Sequence, residues 1–65
     1  MNIIEGLQRE INRCKELLQV YEEIGPAGKF AHIMIKAEIE KAEQTIVNVD
    51  TIGMIKSLKE LENCN

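Results

Sequence analysis

Along the first third of the chain the apolar positions return at spacings of three and four. Ile4, Leu7, Ile11, Cys14, Leu18 and Tyr21 make one heptad seam, the signature of a helix that buries a single face. Ile3, Leu17 and Ile24 widen the seam on one flank, and Glu5, Arg9, Asn12, Lys15, Glu16 and Glu22 occupy the polar side. The pattern predicts a helix over about residues 2–23, with Asn2 as its cap and Glu5 three positions on. Gly25 closes it, because glycine takes left-handed backbone cheaply. Pro26 cannot continue that helix and suits the first turn of the next. The stretch "GPAG" is therefore read as a very short reversal between two helices.

The second helix, about residues 28–47, has two different halves. Ala27, Phe30, Ala31, Ile33, Met34, Ile35 and Ala37 surround its first half with apolar side chains. Beyond them the apolar set narrows to Ile39, Ala42, Ile46 and Val49, with Glu38, Glu40, Lys41, Glu43 and Gln44 on the solvated side. A helix that is apolar all round is buried on more than one side, and a chain this short has little material to cover it. Asn48-Val49-Asp50 breaks the helix, and Asp50 or Thr51 caps a third one over about residues 51–62. Ile52, Ile55, Leu58 and Leu61 give that helix its apolar stripe, with Met54 alongside. Glu62 opposes the helix dipole, so the last turn is expected to fray and the tail "NCN" to be disordered.

Length and composition then restrict the architecture. Sixty-five residues make one domain at most, and a core of that size supplies only about 3–5 kcal/mol without a staple or a partner. Hydrophobic residues are 45% of the chain but aromatics only 3%, so Ile, Leu, Met, Val and Ala must build the core. The expected fold is all-α: two long antiparallel helices plus a shorter third helix, assembling as a homo-oligomer. Its interface is assigned to Ile4, Leu7, Ile11 and Leu18 of the first helix and to Phe30, Ile33, Met34 and Ala37 of the second.

Charge and motifs narrow the function. A net charge of −3 gives no broad attraction to nucleic-acid phosphates, which needs clustered Lys and Arg. No apolar run approaches the ~20 residues that cross a bilayer. The start of the chain lacks the pattern of a signal peptide, so a cytoplasmic location is expected. There is no nucleophile motif, glycine-rich phosphate loop or paired-histidine metal motif. The expectation is a non-enzyme without cofactor or metal.

The corner carries the one candidate ligand site. Helix N-termini present free backbone N–H groups and a positive dipole end to anions, and Gly28 would let a ligand approach the backbone. Lys29, His32 and Lys36 share one face at i, i+3 and i+7, and Tyr21 lies one turn before the corner, where it could stack on a ring. The same residues also read as turn chemistry, surface charge and core. Cys14 and Cys64 form no metal-ligand cluster with His32. In an up-down-up bundle, at ~1.5 Å per residue, the end of the third helix lies level with Cys14. A Cys14–Cys64 disulfide is thus conceivable under oxidation; in a reducing cytosol one buried core thiol and one loose tail thiol are expected.

The stretches "CKELLQVYEEIGPAGKFAHIMIKAEIEKAEQTI" and "DTIGMIKSLKELE" resemble small, uncharacterised helical proteins encoded by bacteriophages and prophages. That resemblance implies a phage accessory protein acting in the host cytoplasm as an antagonist of host defence. Such a protein would sequester a small anionic ligand, such as a nucleotide messenger, at the Gly25–Lys29 corner. Alternatively it docks a host protein through the apolar face of the second helix, or serves as a small structural or assembly protein.

Overall fold

The computed structural model describes residues 2–64 and is all-α, with no strand among them. Helix α1 spans Ile3–Ile24, a 3-10 turn covers Gly25–Gly28, α2 spans Lys29–Val47 and α3 spans Thr51–Glu62. Helical backbone is thus continuous from Ile3 to Val47, reversed by the tight turn at GPAG. Two side-chain caps set the starts. Asn2 Oδ1 accepts the Glu5 N–H at 2.9 Å, and Asp50 Oδ1 accepts the Gly53 N–H at 3.0 Å, each quenching a donor that the first turn leaves unpaired. Asp50, not Thr51, is the cap of α3.

The end of α2 is a Schellman turn. The Val49 N–H bonds the Ile46 carbonyl at 3.1 Å and the Asp50 N–H bonds the Thr45 carbonyl at 2.9 Å, the paired pattern of that motif. Val49 holds its left-handed position at φ 51° and is 75% exposed. Val49 therefore leaves the apolar seam of the second helix to which its spacing assigned it.

Cross-helix pairs fix the packing. Lys15 Nζ lies 3.2 Å from Glu43 Oε2 and His32 Nε2 lies 3.0 Å from Glu22 Oε1, so α1 and α2 run antiparallel. Helix α3 runs back along α1 and stops halfway. Arg13, in the middle of α1, donates to the Leu61 carbonyl at 2.6 Å and to the Cys64 carbonyl at 3.0 Å. The three helices enclose Leu7, Ile11 and Cys14 of α1, Ile35, Ile39 and Ala42 of α2, and Met54 and Leu61 of α3.

This packing corrects several expectations. Leu7 and Ile11 are fully enclosed by their own chain, so they cannot belong to a subunit interface. The buried stripe of α3 is Met54, Ser57 and Leu61, with Leu58 beside it, while Ile52 and Ile55 are exposed. Positions 54, 57, 58 and 61 form the i, i+3, i+4, i+7 seam that the Asp50 cap turns inward, and unbranched Met54 fills it. The end of α3 is held, not frayed, because Arg13 supplies donors to carbonyls that a helix end leaves unpaired. Asn63 and Cys64 are ordered too, their N–H groups bonding the carbonyls of Glu60 and Leu61 at 3.3 and 3.0 Å; Asn65 lies outside the described residues. Cys64 accordingly packs on the core.

Candidate functional site at the open end of the hairpin

The GPAG corner borders an open cleft of about 370 Å³ lined by Tyr21, Glu22, Gly25, Pro26, Lys29 and His32. It brings together Tyr21, Lys29 and His32 of the five residues assigned to a ligand, and leaves Gly28 and Lys36 out. Gly28 is buried, and a Cβ there would stand 2.5 Å from the Tyr21 carbonyl oxygen. Its missing side chain lets α1 and α2 approach each other, and no space remains over it for a ligand.

The helix end is also largely spent. Pro26 has no N–H, and those of Gly25 and Lys29 bond the carbonyls of Glu22 and Pro26. Glu22 reaches His32 inside the same cleft, so a carboxylate stands where an anion would have to sit. The corner is a mixed-charge cleft, not a concentrated cationic one.

A second feature lies on the side of the hairpin where α3 packs. Along α1, residues 10, 13, 17, 20 and 24 recur at alternating spacings of three and four, one stripe of the helix. Arg13 sits on that stripe and binds the end of α3. Where α3 stops, the stripe continues as Leu17, Val20 and Ile24, the last two exposed. The facing stripe of α2 behaves the same way. Thr45 is buried, and Lys41 Nζ lies 3.9 Å from Glu60 Oε2 of α3. Further back, Met34 is 49% exposed and Phe30 75%.

Between the stripes a cavity of about 260 Å³ is lined by Tyr21, Phe30, Ala31, Met34, Ile35, Glu38 and Cys64. It begins where α3 ends. Glu38 is the one carboxylate in its wall. The Oε2 atom of Glu38 is buried with no hydrogen-bond partner among the described residues. The neighbouring Glu60 carboxyl and burial raise the Glu38 pKa, with Lys41 opposing. Glu38 had been placed on the solvated side with Glu40 and Glu43; packing of α3 against that side of α2 draws it in.

No known family, curated protein or solved structure matches this chain. The geometry must carry the functional reading alone. Of the expected interface residues, Phe30, Ile33, Met34 and Ala37 are exposed on α2, Leu18 packs against the core, and Ile4 lies exposed near the far end of α1. The Leu17–Val20–Ile24 stripe, Arg13 and Glu38 were not assigned to any site. The spacing of the first two was legible; the half-length of α3 that gives it meaning was not. Among the described residues no group of three or more His, Cys, Asp or Glu is placed to hold a metal, and no helix is long and apolar enough to cross a membrane.

Proposed function

We propose that this chain is a non-catalytic association module whose open hairpin end pairs with the same surface of a second copy. One observation carries the reading: the stripes that α3 covers over half their length continue as Leu17, Val20, Ile24, Phe30 and Met34 with no third helix over them. Removing such a surface from water contributes roughly 25 cal/mol per Å². A core with eight buried side chains among the described residues gains proportionately more from this than a large domain would.

The shape of the step favours a second copy as the occupant. The uncovered end of α1, residues 15–24, is about 15 Å long at 1.5 Å per residue. Two copies related by a two-fold axis can overlap these ends as four helices, each corner meeting the end of the other copy's α3. Such isologous pairing is the commonest route to a closed assembly, and bundles of four helices are an ordinary result. The setting we propose is the phage accessory role that the resemblance implies, with the dimer presenting its remaining surface to a host protein.

Sedimentation velocity at micromolar concentration tests the reading. Wild type should sediment as a dimer, and Phe30→Asp and Met34→Asp should each sediment as a folded monomer. A charge at either place is tolerated by the single chain, whose core they do not join, but would be stranded in the interface. A wild type that stays monomeric would remove the second copy and leave the face to a different protein. Ligand sequestration at the corner ranks second: the cleft beside Lys29 supports it, while the Glu22 carboxylate and the spent helix end oppose it.

A further inference from the structure

We infer that Cys14 and Cys64 are an oxidisable pair that cross-links the end of α3 to the middle of α1. Both thiols address one turn of the chain: Cys14 Sγ donates to the Leu61 carbonyl at 3.7 Å and Cys64 Sγ to the adjoining Glu60 carbonyl at 3.5 Å. Cys14 belongs to the buried core and Cys64 packs against that same core. The segment that carries Cys64 is held against α1, because Arg13 grips the Leu61 and Cys64 carbonyls from the residue next to Cys14. Both cysteines are free thiols.

The environments divide the labour. Cys14 is completely enclosed, and Cys64 is half-buried at the rim of the apolar cavity. A small disulfide such as oxidised glutathione can reach only Cys64. The Arg13 guanidinium, held on the Cys64 carbonyl, favours the thiolate form of the neighbouring Cys14. Burial pushes the Cys14 thiol up and Arg13 pulls against it, so Cys14 is slow to ionise and poorly suited to attack first.

The exchange balances without any other reagent. The Cys64 thiolate attacks one sulfur of oxidised glutathione; the S–S bond breaks, and one glutathione thiolate leaves and takes up a proton. Cys14 then loses its proton to solvent and attacks the Cys64 sulfur of the mixed disulfide. The second glutathione leaves as a thiolate and is protonated. Two cysteine thiols have been oxidised to one disulfide, and one glutathione disulfide has been reduced to two thiols. The remaining approach to bonding distance falls to Cys64, which lies past Glu62, the last residue of α3.

The cross-link pins α3 at the edge of the open face, and it does not depend on what covers that face. The test uses the full chain, reduced, equilibrated in buffers of graded oxidised-to-reduced glutathione ratio, then quenched with maleimide and read by intact mass and non-reducing peptide mapping. The expected product is a single chain lighter by two hydrogens, taking up no maleimide and no glutathione, with one peptide pair joined through Cys14 and Cys64. Cys64→Ser should stay unmodified at the same ratios, because its remaining thiol is enclosed. Cys14→Ser should collect glutathione on Cys64. A wild type that accumulates a glutathione adduct, joins two chains or keeps both thiols at the most oxidising ratio overturns the pair. Modification of Cys14 in a folded Cys64→Ser protein overturns the order of attack.

Discussion

Replacing Gly28 by alanine separates a packing role from a ligand role at the corner. Gly28 has ordinary backbone angles, φ −91° and ψ −2°, so conformation alone would favour alanine by about 0.4–1 kcal/mol through the unfolded chain. Space decides otherwise. The added Cβ would lie 2.5 Å from the Tyr21 carbonyl oxygen and 3.2 Å from the Tyr21 carbonyl carbon and Cα, all of them backbone atoms. Carbon contacts relax at roughly 3.5–4.0 Å, so the first turn of α2 must move away from α1 by something near 1 Å. Overpacking of this kind costs about 1–3 kcal/mol, which leaves a net loss of about 1.3 kcal/mol once the chain-entropy gain is subtracted. Against a domain that holds about 3–5 kcal/mol, that lowers the folded-to-unfolded ratio about tenfold. Urea unfolding followed by circular dichroism measures it. Gly6→Ala is the internal control: nothing stands within 4 Å of its Cβ position, and it should gain about 0.5–1 kcal/mol. If Gly28→Ala is as stable as wild type, or more so, the close approach of α1 and α2 at this point is not what glycine supplies.

Two further outcomes follow from single atoms. Val49→Gly should raise stability by about 0.5–1 kcal/mol, because left-handed backbone costs an L-residue about 1–2 kcal/mol and glycine's entropy returns part of the gain; an unchanged or lower Tm would contradict the strain. The Glu38 pKa is raised by Glu60 of α3 and by burial, with Lys41 on its own helix opposing. Its contribution is thus present at pH below the ordinary glutamate value and lost as pH rises through the higher folded value. Glu38→Gln keeps the neutral form at every pH, so chemical denaturation should show it matching wild type in acid and exceeding it at neutral pH. A constant difference across that range would rule out the titration.

How much of this was legible depended on what each residue's partners were. The helices could be read because their signals are local: the 3-4 spacing of Leu7, Ile11 and Cys14, the caps at Asn2 and Asp50, and the break at Gly25-Pro26. A residue's role was lost wherever it hung on how far another helix extends. Arg13 and Val20 lie on one stripe of α1, yet the first holds the end of α3 and the second is exposed, because α3 covers only one level of the hairpin. Glu38 looked like Glu40 and Glu43 until Glu60 was set against it. Gly28 was the sharpest case. Glycine beside a helix start suggests space for a ligand, and the same absence of a Cβ is equally what two helices need to touch; sequence alone does not distinguish an approach from outside from one within the fold.

Helix α3 links the features that local signals left scattered. Its twelve residues reach about 18 Å at 1.5 Å per residue, against about 33 Å for α1. That difference leaves Leu17, Val20, Ile24, Phe30 and Met34 uncovered. The same ending places Leu61 and Cys64 at the level of Arg13 and Cys14, where the grip of the guanidinium and the meeting of the thiols become possible. It also sets Glu60 against Glu38 at the inner wall of the cavity. A third helix two turns longer would cover the apolar stripe, carry its end away from Arg13 and separate the cysteines. Association and thiol chemistry therefore rest on one structural quantity, the point along α1 at which α3 stops.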